Sequence, residues 1–284
     1  MKNIYIVTET GGDLIKSDIE RYGIEVVPMH VQMEGKSYND GEFPVAEIFE
    51  SYRRTKDLPK TSATSPYEYK EAFDRIMAQN PDAQIIHLAY SAITTASYHN
   101  AVLASNDMDN VTHIDTKQVS GGLRAIVVKM AKFIEDNPTV TPQQLKNYGE
   151  ILARKCKFAF FPGDLEYLKA GGRVSNAAYL VASMLNLKPL IEMIDGKLVG
   201  TKKYRGSNDR VFVKFLDEYL AHNSFEKDSF FMVCSPGLAD TVKKQLEEVA
   251  AKHGYKEITW VPTGCVIATH AGPGAFGVGG FKEK

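Results

Sequence analysis

Short apolar runs that alternate with amphipathic helical patterns are the feature that most restricts the possible folds of this chain. The runs lie at residues 4–7, 24–27, 85–89, 111–115, 158–161, 230–234 and 258–261. Runs of this length with helical segments between them are typical of the strands of an α/β protein. A chain of 284 residues with 44% hydrophobic content can also bury a large core. We therefore predict an α/β fold, and the length favours two domains.

Capping signals predict where several helices begin and end. Ser65-Pro66-Tyr67-Glu68 combines an N-cap serine, a proline at the first helical position and a glutamate three residues after the serine, and Thr141-Pro142-Gln143-Gln144 has the same pattern. Ser207 precedes a third apolar stripe, and a fourth helical pattern over residues 238–253 stops at Gly254. We interpret the apolar stripes of these helices as core contacts.

A hairpin signal distinguishes the second half of the chain from the first. Asp195 and Gly196 separate two runs with strand character, and this dipeptide is typical of a two-residue β-hairpin turn. The first half has the pattern of layered βαβ units instead. We therefore expect an N-terminal α/β domain over residues 1–155 and a C-terminal α/β domain with antiparallel pairing over residues 156–284.

Composition argues against several classes of function. The net charge is −1, and the 12 Lys and Arg residues that face 5 Asp and Glu residues within 154–214 are scattered, so we expect no nucleic-acid partner. The seven histidines show no ligand spacing, and we predict no metal site. The early residues lack the apolar region of a signal peptide, and no uncharged stretch is suited to span a membrane. Three separated cysteines fit a reduced, cytoplasmic protein.

The most distinctive segment is the glycine-dense stretch that follows His270. Gly272, Gly274 and Gly277 match the spacing of a dinucleotide-binding fingerprint. That fingerprint also requires a strand before it, a helix after it and an acidic residue about 20 positions further on, a context that this segment does not offer. We expect no nucleotide cofactor, and we interpret the stretch as a turn whose backbone amides approach another anionic ligand.

Hydroxyl side chains lie at two junctions between predicted elements. Thr61 and Ser62 precede a capped helix, and Ser91 and Thr95 follow the strand over residues 85–89. Such residues commonly cap helices, but junctions of this kind also bind anions in α/β proteins. Arg173, which comes directly after two glycines, is either exposed to solvent or held for a carboxylate or phosphate. The segment 175–187 has no charged residue and is either a buried helix or the wall of an apolar cavity.

Five motifs, in order along nearly the whole chain, resemble those of the DegV family of bacterial fatty-acid-binding proteins. They are Thr8-Glu9-Thr10-Gly11-Gly12-Asp13-Leu14, Thr61-Ser62, the segment 167–175, Lys188-Pro189 with Arg205-Gly206, and the segment 270–274. Two segments depart from the family pattern. Ala63-Thr64 stands where the family has Gln-Pro, and residues 91–98 differ from the family's Ser-Ser-Gly-Leu-Ser-Gly-Thr-Tyr.

The resemblance implies a two-domain, DegV-like carrier that encloses a long-chain fatty acid and holds its carboxylate near the domain junction. It implies hydrogen-bond donors to the carboxylate and a glycine-rich wall, and the residues concerned are Thr61, Ser62, Ser91, Thr95, Arg173, His270, Gly272 and Gly274. These residues bind and perform no chemistry. Family members of the best-understood kind present the carboxylate to a separate fatty acid kinase, which makes an acyl phosphate. Arg173 and Arg205 would then hold that product or dock the kinase.

Two interpretations from the enzyme class remain open on the residues alone. Ser62 or Ser91 with His270 would form an acyl-ester hydrolase or transferase pair, although the nucleophile elbow Gly-x-Ser-x-Gly is absent from the sequence. Alternatively, His270 would carry a transient phosphoryl group in a phosphotransferase-like subunit.

Overall fold

The computed structural model describes residues 3–175 and 187–283, and these residues form a mixed α/β structure. The strands are β1 (Ile4–Glu9), β2 (Glu25–Val27), β3 (His30–Met33), β4 (Lys36–Asn39), β5 (Lys60–Ser62), β6 (Gln84–Ala89), β7 (Val111–Asp115), β8 (Cys156–Phe161), β9 (Leu187–Ile194), β10 (Lys197–Arg205), β11 (Phe231–Cys234), β12 (Thr259–Pro262) and β13 (Phe276–Phe281). The helices are α1 (Lys16–Tyr22), α2 (Ala46–Thr55), α3 (Pro66–Gln79), α4 (Ser97–Ala104), α5 (Ser120–Asp136), α6 (Pro142–Lys155), α7 (Leu165–Gly171), α8 (Asn208–His222), α9 (Asp240–Lys252) and α10 (Cys265–Ala271). The α/β prediction and all seven predicted strands are confirmed.

Four parallel strands in the order β2-β1-β6-β7 form the first sheet. Helices cover both of its faces, as parallel sheets require. Buried side chains of α3 and α4 pack on one face, and those of α5 and α6 pack on the other. The carboxyl ends of the four strands meet at one edge, which is where open α/β sheets bind ligands.

A small antiparallel sheet in the order β4-β3-β5 was not predicted from the sequence. Its strands have only three or four residues, and β4 is largely exposed and polar, so no alternating pattern marks it. Glu34 and Gly35 both have positive φ, at 51° and 74°, and connect β3 to β4 in a tight turn. This sheet matters for the site because β5 carries Thr61 and Ser62.

The second large sheet has six strands in the order β10-β9-β8-β13-β11-β12. The hairpin prediction is confirmed, because β9 and β10 pair antiparallel around Asp195 and Gly196, whose φ values are 48° and 82°. Strand β13 lies in the middle of the sheet, antiparallel to both β8 and β11. The glycine-rich end of the chain is therefore a central strand, and its interpretation as a turn holds only for the few residues between α10 and β13.

The predicted capping signals correspond to helix ends. Ser65 and Thr141 each form a capping box with the residue three positions on, and both helices have proline in the first turn. Helix α8 begins directly after Ser207, whose side chain makes no capping hydrogen bond. Helix α9 ends before Gly254, which has a φ of 89°. These local signals fixed the helix bounds to within about two residues.

Two buried clusters organise the second half of the chain. One side of the six-stranded sheet packs against α8 and α9 through an aromatic-rich cluster that includes Phe161, Phe212 and Phe215. The other side joins a larger cluster that also contains residues of β1, β6 and α5. Every described strand of the six-stranded sheet follows residue 155, but the large sheets share this cluster. The domain division at residue 155 stays a prediction.

Helix α7 ends at Gly172, which has a φ of 64°, as the two consecutive glycines predict. The uncharged segment interpreted as a buried helix or cavity wall lies outside the described residues, apart from its ends Ser175 and Leu187. Cys156, Cys234 and Cys265 are buried and form no disulfide. Across residues 3–175 and 187–283, no helix is both long and apolar enough to cross a membrane.

Candidate functional site

A cleft lies between the carboxyl edge of the parallel sheet and one face of the six-stranded sheet. It contains about 820 Å³ of space not filled by atoms, and this figure includes the open mouth of the cleft. The first side contributes residues that follow β2, β6 and β7, and the second side contributes residues of β8, β10, β11 and β13. The cleft therefore lies where parallel sheets commonly bind ligands.

Apolar side chains form most of the cleft wall. On β8, Phe158 and Phe160 line the cleft, whereas the alternate residues Ala159 and Phe161 belong to the cluster under α8 and α9. Further lining comes from Leu168, Leu198, Val233, Val266, Ile267 and Phe276. A wall of this composition suits a hydrocarbon tail.

Packing between strands requires glycine at position 277. A Cβ atom at this position would lie 2.8 Å from Cε2 of Phe158, closer than carbon atoms pack. The absence of a side chain therefore allows the Phe158 ring to lie against β13. Gly277 is therefore required by packing and not by a nucleotide. The glycine-rich stretch also has a helix before it and a strand after it, which is the reverse of the order in a dinucleotide-binding fingerprint.

The polar end of the cleft is formed by β5 and the last turn of α10. Thr61 Oγ1 lies 2.7 Å from His270 Nε2, and both residues line the cleft together with Ser62. His270 Nδ1 is buried and has no hydrogen-bond partner within the described part of the chain. Burial, and then the positive charge of Arg173, lower the pKa of His270 to about 4. His270 is therefore neutral at pH 7.

The glycine turn after α7 positions both His270 and Arg173. A side chain at Gly171 would collide with His270 Nδ1, so glycine is needed for the imidazole to reach Thr61. Arg173 is exposed, lines the cleft and donates a hydrogen bond to the Gly171 carbonyl. The guanidinium lies at the cleft surface with donors left for a ligand.

Five of the eight predicted site residues line this cleft, and three do not. The five are Thr61, Ser62, Thr95, Arg173 and His270. Ser91 is fully buried and donates its hydroxyl proton to the Gly196 carbonyl at 2.7 Å, so this proton is not available to a ligand. The role of the five as ligand contacts stays a prediction.

The structure does not support the expectation that the amides of Gly272 and Gly274 donate to a ligand. Their amides already donate to the carbonyls of Ala268 and Pro236, each at 2.9 Å. Both glycines have a φ near 74°, which shapes the turn between α10 and β13. The glycines thus serve the turn that positions α10, and neither is part of the cleft lining.

The serine–histidine pairs of the hydrolase interpretation are not formed. His270 Nε2 bonds to Thr61, and the Ser91 hydroxyl bonds to Gly196. Within the described residues there is also no group of three or more His, Cys, Asp and Glu side chains placed to hold a metal ion.

Sequence reasoning missed several hydroxyl residues of the cleft, among them Ser120 and Thr263. Ser120 begins α5 and donates to Asp13 Oδ2 at 2.5 Å. Thr263 connects β12 to α10. Both follow strands, as Ser91 and Thr95 do, but neither lies in one of the motifs that predicted the site.

Known proteins resemble the whole chain in sequence and in fold. A protein-family model described as an uncharacterised protein of the DegV family matches residues 3–283. A DegV domain-containing protein of Caldanaerobacter subterraneus subsp. tengcongensis is 30% identical, with both chains covered completely.

Two solved structures share the architecture. The fatty-acid-binding DegV family protein of Thermus thermophilus has a TM-score of 0.85 at 25% identity, with 99% of this chain and 100% of that chain covered. A stearic-acid-binding protein of Eubacterium ventriosum has a TM-score of 0.83 at 26% identity, with 98% and 97% covered. With its motifs, its fold and a family match over nearly its full length, this chain belongs to the DegV family.

Proposed function

We propose that this chain is a fatty-acid-binding protein that encloses a long-chain fatty acid and presents its carboxylate to a separate fatty acid kinase. The observation that carries the proposal is the change of polarity along the cleft. Aromatic and aliphatic walls lead to a polar end made by Thr61, His270 and Arg173. The similar proteins of Thermus thermophilus and Eubacterium ventriosum, described as fatty-acid-binding, support it.

Burial of the tail supplies most of the affinity in this scheme. Each buried methylene group contributes about 0.8 kcal/mol, so a long acyl chain contributes on the order of 10 kcal/mol. Contacts of this kind select weakly among apolar chains. The polar end therefore determines the orientation of the ligand more than its retention.

The carboxylate meets donors of two kinds at the polar end. When neutral His270 donates through Nε2 to Thr61 Oγ1, the hydroxyl proton of Thr61 is left to donate to the carboxylate. Arg173 supplies the positive charge that neutral His270 does not. These groups bind the ligand, and we propose no catalysis by this chain.

Transfer to the kinase uses the exposed cations near the cleft mouth and on β10. We propose that Arg173 holds the acyl phosphate and that Arg205 contributes to kinase docking. Arg205 lies on a basic groove whose other lining residues include Lys202, Lys203, Arg210 and Lys214. The three buried, unpaired cysteines suit the reducing cytoplasm, where we place the reaction.

Two measurements test the proposal. Mass spectrometry of the denatured, purified protein should release a long-chain fatty acid, and protein stripped of lipid should bind palmitate or oleate. Incubation of the loaded protein with a fatty acid kinase and ATP should give an acyl phosphate. A protein that carries no fatty acid and also ignores both added lipids would refute the binding role.

Variants of two histidines separate presentation of the carboxylate to the kinase from retention of the fatty acid. His270→Asn should abolish acyl phosphate formation and weaken fatty acid binding by at most about tenfold, because the tail dominates affinity. His222→Asn, which changes an exposed histidine outside the cleft, should do neither. Complete loss of lipid from folded His270→Asn protein would contradict the assignment of the tail as the main anchor.

A further inference from the structure

Thr263 is an unsatisfied polar residue in the wall of the cleft. Its side chain is 4% exposed, and its hydroxyl has no hydrogen-bond partner within residues 3–175 and 187–283. A buried polar group without a partner costs about 1–3 kcal/mol. Because Thr263 lines the cleft, a polar atom of the bound ligand can supply the missing partner.

Ser120 lies beside Thr263 in the same wall. One oxygen of Asp13 accepts from Ser120 Oγ at 2.5 Å, and the other accepts at 2.7 Å from the amide of Gly264, the residue after Thr263. A single carboxylate thus links the two cleft-lining hydroxyl residues. Since Ser120 donates its proton to Asp13, its oxygen can accept from a ligand, while the Thr263 hydroxyl can donate.

The backbone of Ser120 adopts an uncommon conformation. Its φ of 49° lies in the left-handed region, which costs a non-glycine residue on the order of 1 kcal/mol. Residues held in this way occur preferentially in ligand sites and where tertiary contacts enforce them. Here the contact is the hydrogen bond to Asp13, which is itself buried.

The distance along α10 places the Ser120–Thr263 pair relative to the carboxylate end. Thr263 lies two residues before α10 and His270 lies in the last turn of that helix, so five helical steps of about 1.5 Å and two non-helical residues separate them, about 10–14 Å in all. Val266 and Ile267 line the cleft between them, so a tail anchored at His270 runs along this helix. An extended chain with bonds of about 1.5 Å reaches the pair roughly eight to ten carbons from the carboxylate.

We propose that the cleft accepts a fatty acid that carries a hydroxyl group near the middle of its chain. Thr263 donates to the ligand hydroxyl, and Ser120 accepts from it. A hydroxyl both donates and accepts, so it matches the pair, whereas a plain hydrocarbon leaves both residues without a ligand partner. The inference rests on the proposed function, because the carboxylate at His270 sets the position of the chain.

Competition binding to lipid-free protein tests this inference with three ligands: stearic acid, 10-hydroxystearic acid and 2-hydroxystearic acid. The wild-type protein should bind the 10-hydroxy acid about tenfold more tightly than stearic acid, as one satisfied hydrogen bond allows. The 2-hydroxy acid, whose hydroxyl is near the carboxylate, should show no such gain.

Two matched variants locate the preference. Thr263→Val keeps the shape of the side chain and should remove the preference while stearic acid still binds. Thr269→Val is the control, because Thr269 is buried in α10, the helix that follows Thr263, lies outside the cleft lining and donates to the Cys265 carbonyl at 2.8 Å. It should keep the preference.

The outcomes separate the inference from the proposed function. Equal affinity of the wild-type protein for stearic and 10-hydroxystearic acid, or a preference that survives in Thr263→Val, overturns the inference and leaves fatty acid binding intact. Failure to bind any of the three acids overturns both. Should Thr263→Val not fold, 10-oxostearic acid decides with the wild-type protein. The affinity of the 10-oxo acid should lie between those of stearic acid and 10-hydroxystearic acid, since its carbonyl accepts a hydrogen bond but cannot donate one. An affinity no better than that of stearic acid would refute the role of Thr263.

Discussion

His270 in the cleft and the His87–His113 pair on the neighbouring strands β6 and β7 are two histidine sites that differ in how completely their ring nitrogens are hydrogen-bonded. His87 Nε2 bonds to Glu9 at 2.8 Å, the Nδ1 atoms of His87 and His113 lie 3.0 Å apart, and His113 Nε2 bonds to Ser105 at 2.8 Å. Each ring nitrogen of this pair therefore has a partner. His270 has one partner, Thr61, and a buried Nδ1 without any in the described residues.

The difference indicates what each site is for. Glu9 also accepts from the Tyr69 hydroxyl and from the Tyr90 amide, so its network links α3 to the parallel sheet and leaves no donor for a ligand. A saturated network of this kind specifies a fold. Unsatisfied polar atoms at the wall of an apolar cleft instead suit a ligand that completes them. Burial alone does not distinguish the two sites.

The largest expected effect comes from breaking the saturated network with Glu9→Gln. Burial raises the pKa of Glu9, but the charge of His87 and the hydrogen bonds from His87, Tyr69 and Tyr90 together lower it below its ordinary value. Loss of the charge leaves these donors poorly paired, and we expect the free energy of unfolding to fall by about 3 kcal/mol. Urea denaturation measures the loss.

Glu25→Gln provides the control for that change. Glu25 pairs with Arg75 on the surface of the same sheet, and a pair of this kind contributes little, so its loss should cost less than about 1 kcal/mol. Folded Glu9→Gln protein should still bind fatty acid with near wild-type affinity. Similar losses of stability in the two variants would show that the Glu9 network is not structural.

Acid should destabilise the protein through both histidine sites. Burial, and then the charge of His87, lower the pKa of His113 to about 4, the value to which burial and Arg173 lower that of His270. A histidine has a pKa near 6.5 when unfolded, so between about pH 6.5 and pH 4 the unfolded state binds more protons. Stability is therefore fully present above pH 6.5 and falls as the pH drops, by on the order of 2 kcal/mol for each histidine.

Unfolding experiments at several pH values measure this contribution. His113→Asn and His270→Asn should each make the free energy of unfolding less dependent on pH between pH 6.5 and 4. Each variant should remove about half of the decrease that the two histidines cause. An unchanged slope in either variant would mean that the histidine concerned is already exposed to solvent. Titration alone does not separate the sites, because desolvation lowers the pKa of both imidazoles to about 4.

Ligand binding does separate them. His270→Asn should weaken palmitate binding by about tenfold at pH 7, since it removes the partner of Thr61 at the polar end. His113→Asn should lower stability by about 1–2 kcal/mol and leave the affinity of the folded protein unchanged. Fluorescence titration gives the affinities. An equal loss of affinity in both variants would remove the distinction between a structural and a ligand-binding histidine.

The sequence predicted what local chemistry determines. The capping boxes at Ser65 and Thr141 and the turn at Asp195 and Gly196 involve residues within a few positions of one another, and all are present in the structure. The family motifs similarly identified Thr61 and His270, although 209 residues separate them. The order of family motifs therefore indicates which distant residues meet in the fold, and the hydrophobic periodicity of the sequence does not.

What the sequence did not predict depends on partners distant in the chain. Strand β13 contains Gly277, Gly279 and Gly280, and glycine is unfavourable in strands. A Cβ atom at Gly277 or Gly279 would collide with Phe158, Lys157 or Phe231 from neighbouring strands, and one at Gly280 would lie in tight contact with the Phe225 ring, at 3.1 Å. Only the assembled sheet explains the composition. Thr263 was missed for the same reason, because its importance lies in the partner that its hydroxyl lacks.

The smallest expected effect concerns Ser91, which the motif comparison placed beside Thr61 in the ligand site. Its hydroxyl donates to the Gly196 carbonyl, 105 residues away, and therefore joins the loop after β6 to the β9–β10 hairpin. Ser91→Ala should lower the free energy of unfolding by about 1 kcal/mol and leave palmitate affinity unchanged. Thr61→Val should also cost about 1 kcal/mol, because it leaves His270 Nε2 without its partner, but unlike Ser91→Ala it should reduce palmitate affinity by about five- to tenfold, because it removes the donor at the polar end. Parallel denaturation and binding measurements on the two variants decide between these roles. A loss of affinity in Ser91→Ala as large as that in Thr61→Val would show that Ser91 turns towards the ligand on binding and that its bond to the hairpin belongs to the ligand-free protein alone.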